Sequence, residues 1–384
     1  RPLALLAAVL VLLPFGAVAP VGPLVTAAEA STPGCTPTTA TFVGDGSNGT
    51  TAGRDYVVLA FKDVNGECDW QVPTGIGSVD VLVVGGGGGA ASRGGGGAGG
   101  FLREDGVAVT GGSTVSVSVG EGGSRGSETK VTAEAGENGG ESRFGSRVAH
   151  GGGGGSSTAQ YDENATPREV FEAEFADGEG GSGGGGMSYP IGTWGSCPSE
   201  PDDRIGELGS NDGVGRPAGT AGTGLSRNAG GDARPICYRN GFGASAMWYG
   251  AGGGGAGGPG GDVFWAADSD GAGSEKDRLF PGDGGDGLPW GLGPASVATA
   301  LAVGEVADGD VWFAGGGAGG GNFADKGPSW RANLSYGLRG VPGKGQGTNS
   351  GGGGNGRGDN PAGADGVVLV RYEAPPATIT ILGS

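Results

Sequence analysis

Glycine supplies 97 of the 384 residues, gathered into blocks between strand-like segments. Average usage is roughly 7%. Glycine brings no side chain to a core, and its backbone loses the most freedom on ordering. A chain of this kind is either a flexible spacer or an architecture whose unit of packing is the backbone itself. Three features speak against a spacer. Six of the seven tryptophans fall within residues 194–330, inside the glycine-dense region. Glycine blocks start directly after strong strands, as in VDVLVV followed by Gly85 to Gly89. The chain then returns from the glycine region to one more strong strand, GVVLVRY at 366–372, as though closing a sheet.

The glycine blocks suit polyproline-II geometry, with about 3.1 Å rise and three residues per turn. That helix has no internal hydrogen bonds, so its amides and carbonyls point outward in three directions. Side chains would keep neighbouring backbones apart; glycine lets them touch and satisfy each other's polar groups. Ordering each glycine costs about 1–2 kcal/mol against about 0.5–1.5 kcal/mol per hydrogen bond gained. Such a bundle therefore needs a β framework to fix its ends. The fold expected is mainly β: a jelly-roll-like β-sandwich with an inserted bundle of polyglycine-II helices and very little α-helix. Spacings are irregular, so this is no fixed-period solenoid, and no Gly-X-Y register marks collagen.

Several strands are readable. Tyr56 to Phe61 (YVVLAF) precedes an Asn65-Gly66 hairpin-type turn, with Cys68 to Val72 expected as its partner strand. Val79 to Val84 is nearly continuous in apolarity, the mark of a strand covered on both faces. Thr114 to Val119 alternates, the mark of a half-exposed strand. Phe101-Leu102, Val107 to Thr110, Val131 to Ala135 and Arg143 to Ala149 are shorter candidates, and only 167–176 has helical character. The expected organisation is an export signal at 1–30, an irregular lead-in at 31–54 and a glycine-rich domain at 55–373. Within that domain the β framework takes 55–150 and 364–373 and the glycine bundle 151–363. Residues 374–384 read as a linker and the start of a further β-domain.

The export reading rests on Arg1, the apolar run Leu3 to Leu13 and Ala28-Glu29-Ala30 as a cleavage site. The apolar run is too short to cross a bilayer, and no transmembrane segment is expected in the mature chain. The cysteines agree with an oxidising compartment: Cys35, Cys68, Cys197 and Cys237 are an even number. Three pairings exist. The sequential one, Cys35–Cys68 with Cys197–Cys237, is favoured, each closure worth roughly 3–4 kcal/mol of loop entropy. Zinc is disfavoured by the absence of C-x₂₋₄-C spacing and by a single histidine, His150. The formal charge of −18 argues against a nucleic-acid partner, which needs clustered Lys and Arg.

From Trp70 to Gly89, WQVPTGIGSVDVLVVGGGGG, the sequence resembles the glycine-rich domains of many bacterial surface and phage-related proteins. Gly94 to Gly100, Thr114 to Gly120, Ser142 to Gly145 and Gly366 to Tyr372 continue that pattern in order. More distantly, the chain is similar to the extracellular glycine-rich region of the anaplastic lymphoma kinase receptor family. That resemblance implies glycine helices beside a jelly-roll-like sandwich, with no kinase motif carried over.

No motif marks catalysis, a cofactor or a metal. Gly85, Gly87 and Ala90 formally fit a dinucleotide fingerprint, but ASRGGGGAGG follows where a helix is required. Asp283, Asp286, Asp268 and Asp270 could ligate calcium, though the calcium-binding nonapeptide repeat is absent and solvated carboxylates fit better. His150 has no G-x-S-x-G partner. Arg357-Gly358-Asp359 matches the tripeptide that integrins read, a match that chance also produces in a chain rich in these residues. Candidate binding loops are those carrying Trp194, Trp265, Asp268, Asp270 and Arg357-Gly358-Asp359, since inserts on a rigid scaffold are where specificity sits. The expected function is an exported, non-enzymatic scaffold displaying loops to a cell-surface protein or glycan. The alternative is a structural envelope or spacer component with no specific ligand.

Overall fold

The computed structural model describes residues 36–64, 66–91, 93–126, 135–155, 181–186, 225–226, 228–231, 236–240, 243–266, 278–323, 341–356 and 360–375. The fold is mainly β, with one short helix among the described residues. Its larger sheet takes β1 (Thr38–Val43), β2 (Asp55–Phe61), β4 (Ser78–Val84), β5 (Phe101–Ala108), β9 (Leu225–Ser226) and β18 (Val367–Glu373). A facing sheet takes β3 (Cys68–Gln71), β6 (Thr114–Ser118), β7 (Ser142–Phe144) and β8 (Arg147–Ala149). Three smaller groups are β10 (Ile236–Asn240) with β11 (Gly243–Tyr249) and β17 (Gly321–Phe323); β12 (Phe264–Ala266) with β13 (Arg278–Phe280); and β14 (Leu288–Pro289), β16 (Asp310–Phe313) and β15 (Glu305–Ala307). Helix α1 spans Ala295–Leu301.

The six strands of the larger sheet lie in the order β1-β2-β18-β4-β5-β9, so the last of the described strands occupies the centre. Every pairing within it is antiparallel. The continuous apolar run of β4 has the expected cause, coverage on both faces, and β2 and β18 are covered in the same way. One face gives Val57, Leu59, Phe61, Val81, Val83, Val368 and Val370 to a core shared with Trp70, Val117 and Phe144 of the facing sheet. The other gives Val58, Ala60, Leu82, Val84, Val367 and Leu369 to a core built on Trp290, Leu292, Val297, Leu301 and Phe313. Trp290 is fully buried, its ring 6.4 Å from that of Phe313 and its indole N–H donated to the Gly293 carbonyl at 3.0 Å.

Four departures from the sequence reading follow. β1 forms inside the stretch read as an irregular lead-in, pairing Thr38 to Val43 against β2. β2 and β3 are not hairpin partners: β3 pairs with β6 in the facing sheet, while β2 takes β1 and β18 as neighbours. Trp70 explains the choice, because on β3 it meets Phe144 of its own sheet and reaches Phe61 and Tyr372 across the core. Helix α1 and strands β14 to β16, which supply the second core, lie in the range assigned to glycine helices. Conversely, glycine segments at 85–100, 120–126 and 136–140 belong to the same hydrogen-bonded array as those after residue 150. The expected strand at 131–135 and helix at 167–176 lie outside the described residues, apart from Ala135.

The array has a three-residue period. Along 85–90, the amides of Gly85 and Gly88 donate to Gly100 and Gly97; those of Gly86 and Gly89 to Gly140 and Glu137; those of Gly87 and Ala90 to Ala364 and Pro361. Along 95–100 the same rule holds with other neighbours: Gly95 and Ala98 donate to Ala251 and Gly254, Gly96 and Gly99 to Gly354 and Gly351, Gly97 and Gly100 to Gly153 and His150. Each extended segment therefore bonds three neighbours in turn. The approach that makes this work leaves no room for a side chain. A Cβ built on Gly87, Gly96 or Gly253 would stand under 3.0 Å from the carbonyls of Gly352, Gly88 and Gly96 respectively. The hydrogen that such a Cβ would replace is aimed at a neighbour's carbonyl oxygen, the arrangement of a weak Cα–H···O contact.

Where the array runs out of backbone neighbours, side chains supply acceptors. Asp283 Oδ1 takes the Val341 amide at 2.6 Å and Asp286 Oδ1 that of Lys344 at 3.0 Å, again three residues apart. Asn138 serves Gly154, Asn355 serves Ala318 and Asp365 serves Gly122 at 2.8–2.9 Å. Glu305 Oε2 accepts from Gly345 and Gln346. At the other end of the sheet one ion pair is buried. Arg371, 1% exposed, donates to Asp80 Oδ2 through Nε at 2.9 Å, and through Nη1 to the carbonyls of Asn48 at 2.7 Å and Leu292 at 3.2 Å. Asp80 sits where the β4–β5 register shifts, and its Oδ1 accepts the Gly106 amide at 2.8 Å.

Candidate functional site

The direction of each glycine segment is fixed by its bonds. Gly85 follows β4, Gly100 precedes β5, His150 follows β8 and Gly366 precedes β18; Gly85 bonds Gly100, Gly100 bonds His150 and Gly366 bonds Gly120. These residues mark the sheet end. Ala90, Gly126, Gly136, Gly155 and Pro361 are joined by Ala90 to Pro361, Gly126 to Ala90, Gly155 to Gly89 and Gly136 to Gly155 bonds, and they mark the opposite, distal end. The segments after residue 180 follow suit. Gly186 bonds Gly231, Gly250 bonds Gly320, Gly282 bonds Gly250, and Gly320 bonds the Arg93 carbonyl in the turn between the first two segments.

One consequence is specific to this topology. The described array segments that end at Gly126, Gly155, Gly186, Gly231, Asp262, Gly320 and Gly356 all end at the distal end. The excursions carrying β10–β11 and β12–β13 also return there, at Gly250 and Gly282. Two described segments begin at the sheet end, where Gly181 bonds Gly151 and β9 pairs with β5.

The sequence-predicted site residues can be placed on this frame. Trp265 is the middle residue of β12 and Cys237 lies on β10, both on distal excursions. Asp268 and Asp270 lie outside the described residues, between β12 and β13 in the chain. Trp194, Cys35, Cys197, Arg357, Gly358 and Asp359 are likewise outside them. The flanks of the Arg-Gly-Asp tripeptide are described: Gly356 bonds Ala318, and the Asn355 amide donates to the Asn360 carbonyl at 3.0 Å, closing a turn at the distal end. Cys68 lies on β3 and is disulfide-bonded.

The weaker chemical motifs resolve differently. The amides of Gly85, Gly87 and Ala90 are all spent on neighbouring carbonyls, so the formal dinucleotide fingerprint has none to offer a phosphate. Asp283 and Asp286, weighed as calcium ligands or solvated carboxylates, are acceptors for an adjacent backbone. Among the described residues no group of three or more His, Cys, Asp or Glu side chains could hold a metal ion. His150 is at the sheet end, its Nδ1 2.8 Å from Glu141 Oε1. Partial burial pushes the Glu141 carboxyl up, and hydrogen bonds from Arg143 and His150 outweigh it, leaving the group below its ordinary value. This is an ion-paired carboxylate. No helix among the described residues is long and apolar enough to cross a membrane.

Sequence reasoning missed the side chains that finish the array, Asn138, Asp283, Asp286, Glu305, Asn355 and Asp365. A signal did exist: each is an acceptor-bearing residue next to or between glycines. What the sequence could not show is which backbone amides they meet.

No curated protein matches this chain. A family profile described as a glycine-rich domain matches residues 62–313. That range covers more than half of the chain, and it holds β3 to β16 and, of the second core, Trp290, Leu292, Val297, Leu301 and Phe313. The chain belongs to the glycine-rich domain family.

Proposed function

We propose that this chain is an exported, non-enzymatic display scaffold whose distal excursions bind a cell-surface protein or glycan. The carrying observation is the shared end from which the excursions depart. The glycine array acts as a polyglycine-II-type bundle, which the three-residue hydrogen-bond period supports. It stands on a jelly-roll-like sandwich and holds the variable segments away from it. The described segments that lead into the Trp-bearing and acidic inserts end on one face. Export, pairing of Cys68 with Cys35 and pairing of Cys197 with Cys237 belong to this reading.

The test replaces 187–224 and 263–281, singly and together, by short Gly-Ser connections, and measures attachment to cells and glycan surfaces. Each chimera is checked first for an unchanged thermal melt by circular dichroism. Loss of attachment with folding retained supports display. Attachment indifferent to both replacements overturns it and leaves the structural envelope role.

A further inference from the structure

We propose that Asn48 is a self-modifying residue, converting through a succinimide to aspartate and isoaspartate, and that the fold protects the other described Asn-Gly pairs from the same reaction. The reaction needs no enzyme. The Gly49 amide nitrogen gives up its proton to water or hydroxide and attacks Asn48 Cγ. A C–N bond forms, the side-chain nitrogen leaves as ammonia, and water then opens the five-membered ring at either carbonyl. No redox change occurs. The two requirements are a free following amide and a side-chain carbonyl able to move over it; glycine at the next position removes the steric barrier.

Three Asn-Gly pairs are fully described, and they differ in both requirements. In the array, the Gly139 amide is bonded to the Gly152 carbonyl at 2.9 Å, and Asn138 Oδ1 is held by the Gly154 amide at 2.9 Å. The Gly356 amide is bonded to the Ala318 carbonyl at 2.8 Å, and Asn355 Oδ1 is held by the Ala318 amide at 2.9 Å, with Asn355 only 6% exposed. At each, nucleophile and electrophile are locked onto a neighbouring segment. Asn48 and Gly49 lie in the exposed turn between β1 and β2. Nothing accepts the Gly49 amide, and the side-chain amide of Asn48 makes one contact, to Ser47 Oγ at 3.5 Å, too long for a firm hydrogen bond. Asn48 and Gly49 both take positive φ, 50° and 74°, and both are exposed.

The product matters because of what Asn48 holds. Its backbone carbonyl accepts from the buried Arg371 guanidinium at 2.7 Å. Isoaspartate reroutes the main chain through Cβ and Cγ, one atom longer, and turns that main-chain carbonyl into a free carboxylate. The modification therefore acts on the ion pair linking β18 to β4.

The experiment ages the full-length protein at mildly alkaline pH, native and in denaturant. Peptides containing Asn48, Asn138 and Asn355 are followed by mass spectrometry, and isoaspartate by enzymatic methyl labelling. The expected native result is conversion at Asn48 at least about tenfold faster than at Asn138 or Asn355, a ratio equivalent to about 1.4 kcal/mol of protection. In denaturant the three rates should converge, since all are Asn-Gly. Equal native rates overturn the proposal. So does a ratio that persists in denaturant, which would place its origin in local sequence alone. Asn48→Gln should abolish the native signal and leave the other peptides unchanged.

Discussion

Gly96→Ala tests the claim that backbone contact, not flexibility, is why glycine is here. Gly96 is buried in the middle of the array, donating to Gly354 at 2.7 Å and accepting from Gly317 at 2.9 Å. An added methyl would stand under 3.0 Å from Gly88 oxygen and carbon and from Gly354 nitrogen, all backbone atoms with no rotamer to yield. Overpacking of this sort costs about 1–3 kcal/mol. Easing it by separating the segments weakens the Gly96–Gly354 and Gly354–Gly88 bonds, at about 1 kcal/mol each net. Against this, alanine restricts the unfolded chain and returns about 0.4–1 kcal/mol. The expected net loss is about 2–4 kcal/mol. Gly77→Ala is the matched control, since a Cβ there meets nothing within 4 Å and its φ is not in the left-handed region. That variant should be neutral or stabilising by up to about 1 kcal/mol. Denaturant unfolding followed by tryptophan fluorescence separates the two. If Gly96→Ala and Gly77→Ala agree within about 0.5 kcal/mol, a level typical of surface changes, the close-packed reading is wrong.

Asp80→Asn leaves the buried Arg371 charge without its counter-ion while keeping an acceptor for Gly106, and should destabilise by about 3–5 kcal/mol; an equilibrium unfolding midpoint close to wild type would refute the ion pair's role. The Glu104 carboxyl is held below its ordinary 4.5 by its hydrogen bonds from Arg147, and Glu141 is also depressed despite partial burial. A depressed folded value contributes stability that is present above about 4.5 and is lost as pH falls through the folded value. The stability difference between wild type and Glu104→Gln should therefore vanish on acidification below that point, checked by unfolding midpoints across pH 3 to 7 (roughly the carboxylate range). A difference that grows on acidification would contradict the pairing.

The parts of the fold that were legible are those where side chains carry the information. VVLAF, VLVV and VVLV are apolar at every position, and the structure covers both faces of β2, β4 and β18. What was not legible lay in partner choice. Asn65-Gly66 is a sound hairpin signal, yet β2 already has β18 from the far end of the chain on one side and β1 on the other. Thr38 to Val43 was obscured by the Pro, Gly and Thr around it. Helix α1 is short, with no side-chain cap and no acidic first turn, so local rules had nothing to find. For the candidate face, the non-glycine inserts were visible as inserts. Their common point of departure was not, because the direction of a glycine segment is written in its hydrogen bonds and not in its composition.

The central place of β18 also sets the order in which this molecule can be made. A chain emerging amino terminus first exposes β2 and β4, two of its most apolar stretches, long before residue 373 is available to lie between them. Until then each has an open edge and an uncovered face, and the second core waits as well, since Val367 and Leu369 are part of it. Folding is thus held back until nearly all of the domain has emerged. Contacts so distant in sequence make closure slow. During that interval the glycine segments between them help, because they have little tendency to collapse onto the waiting strands.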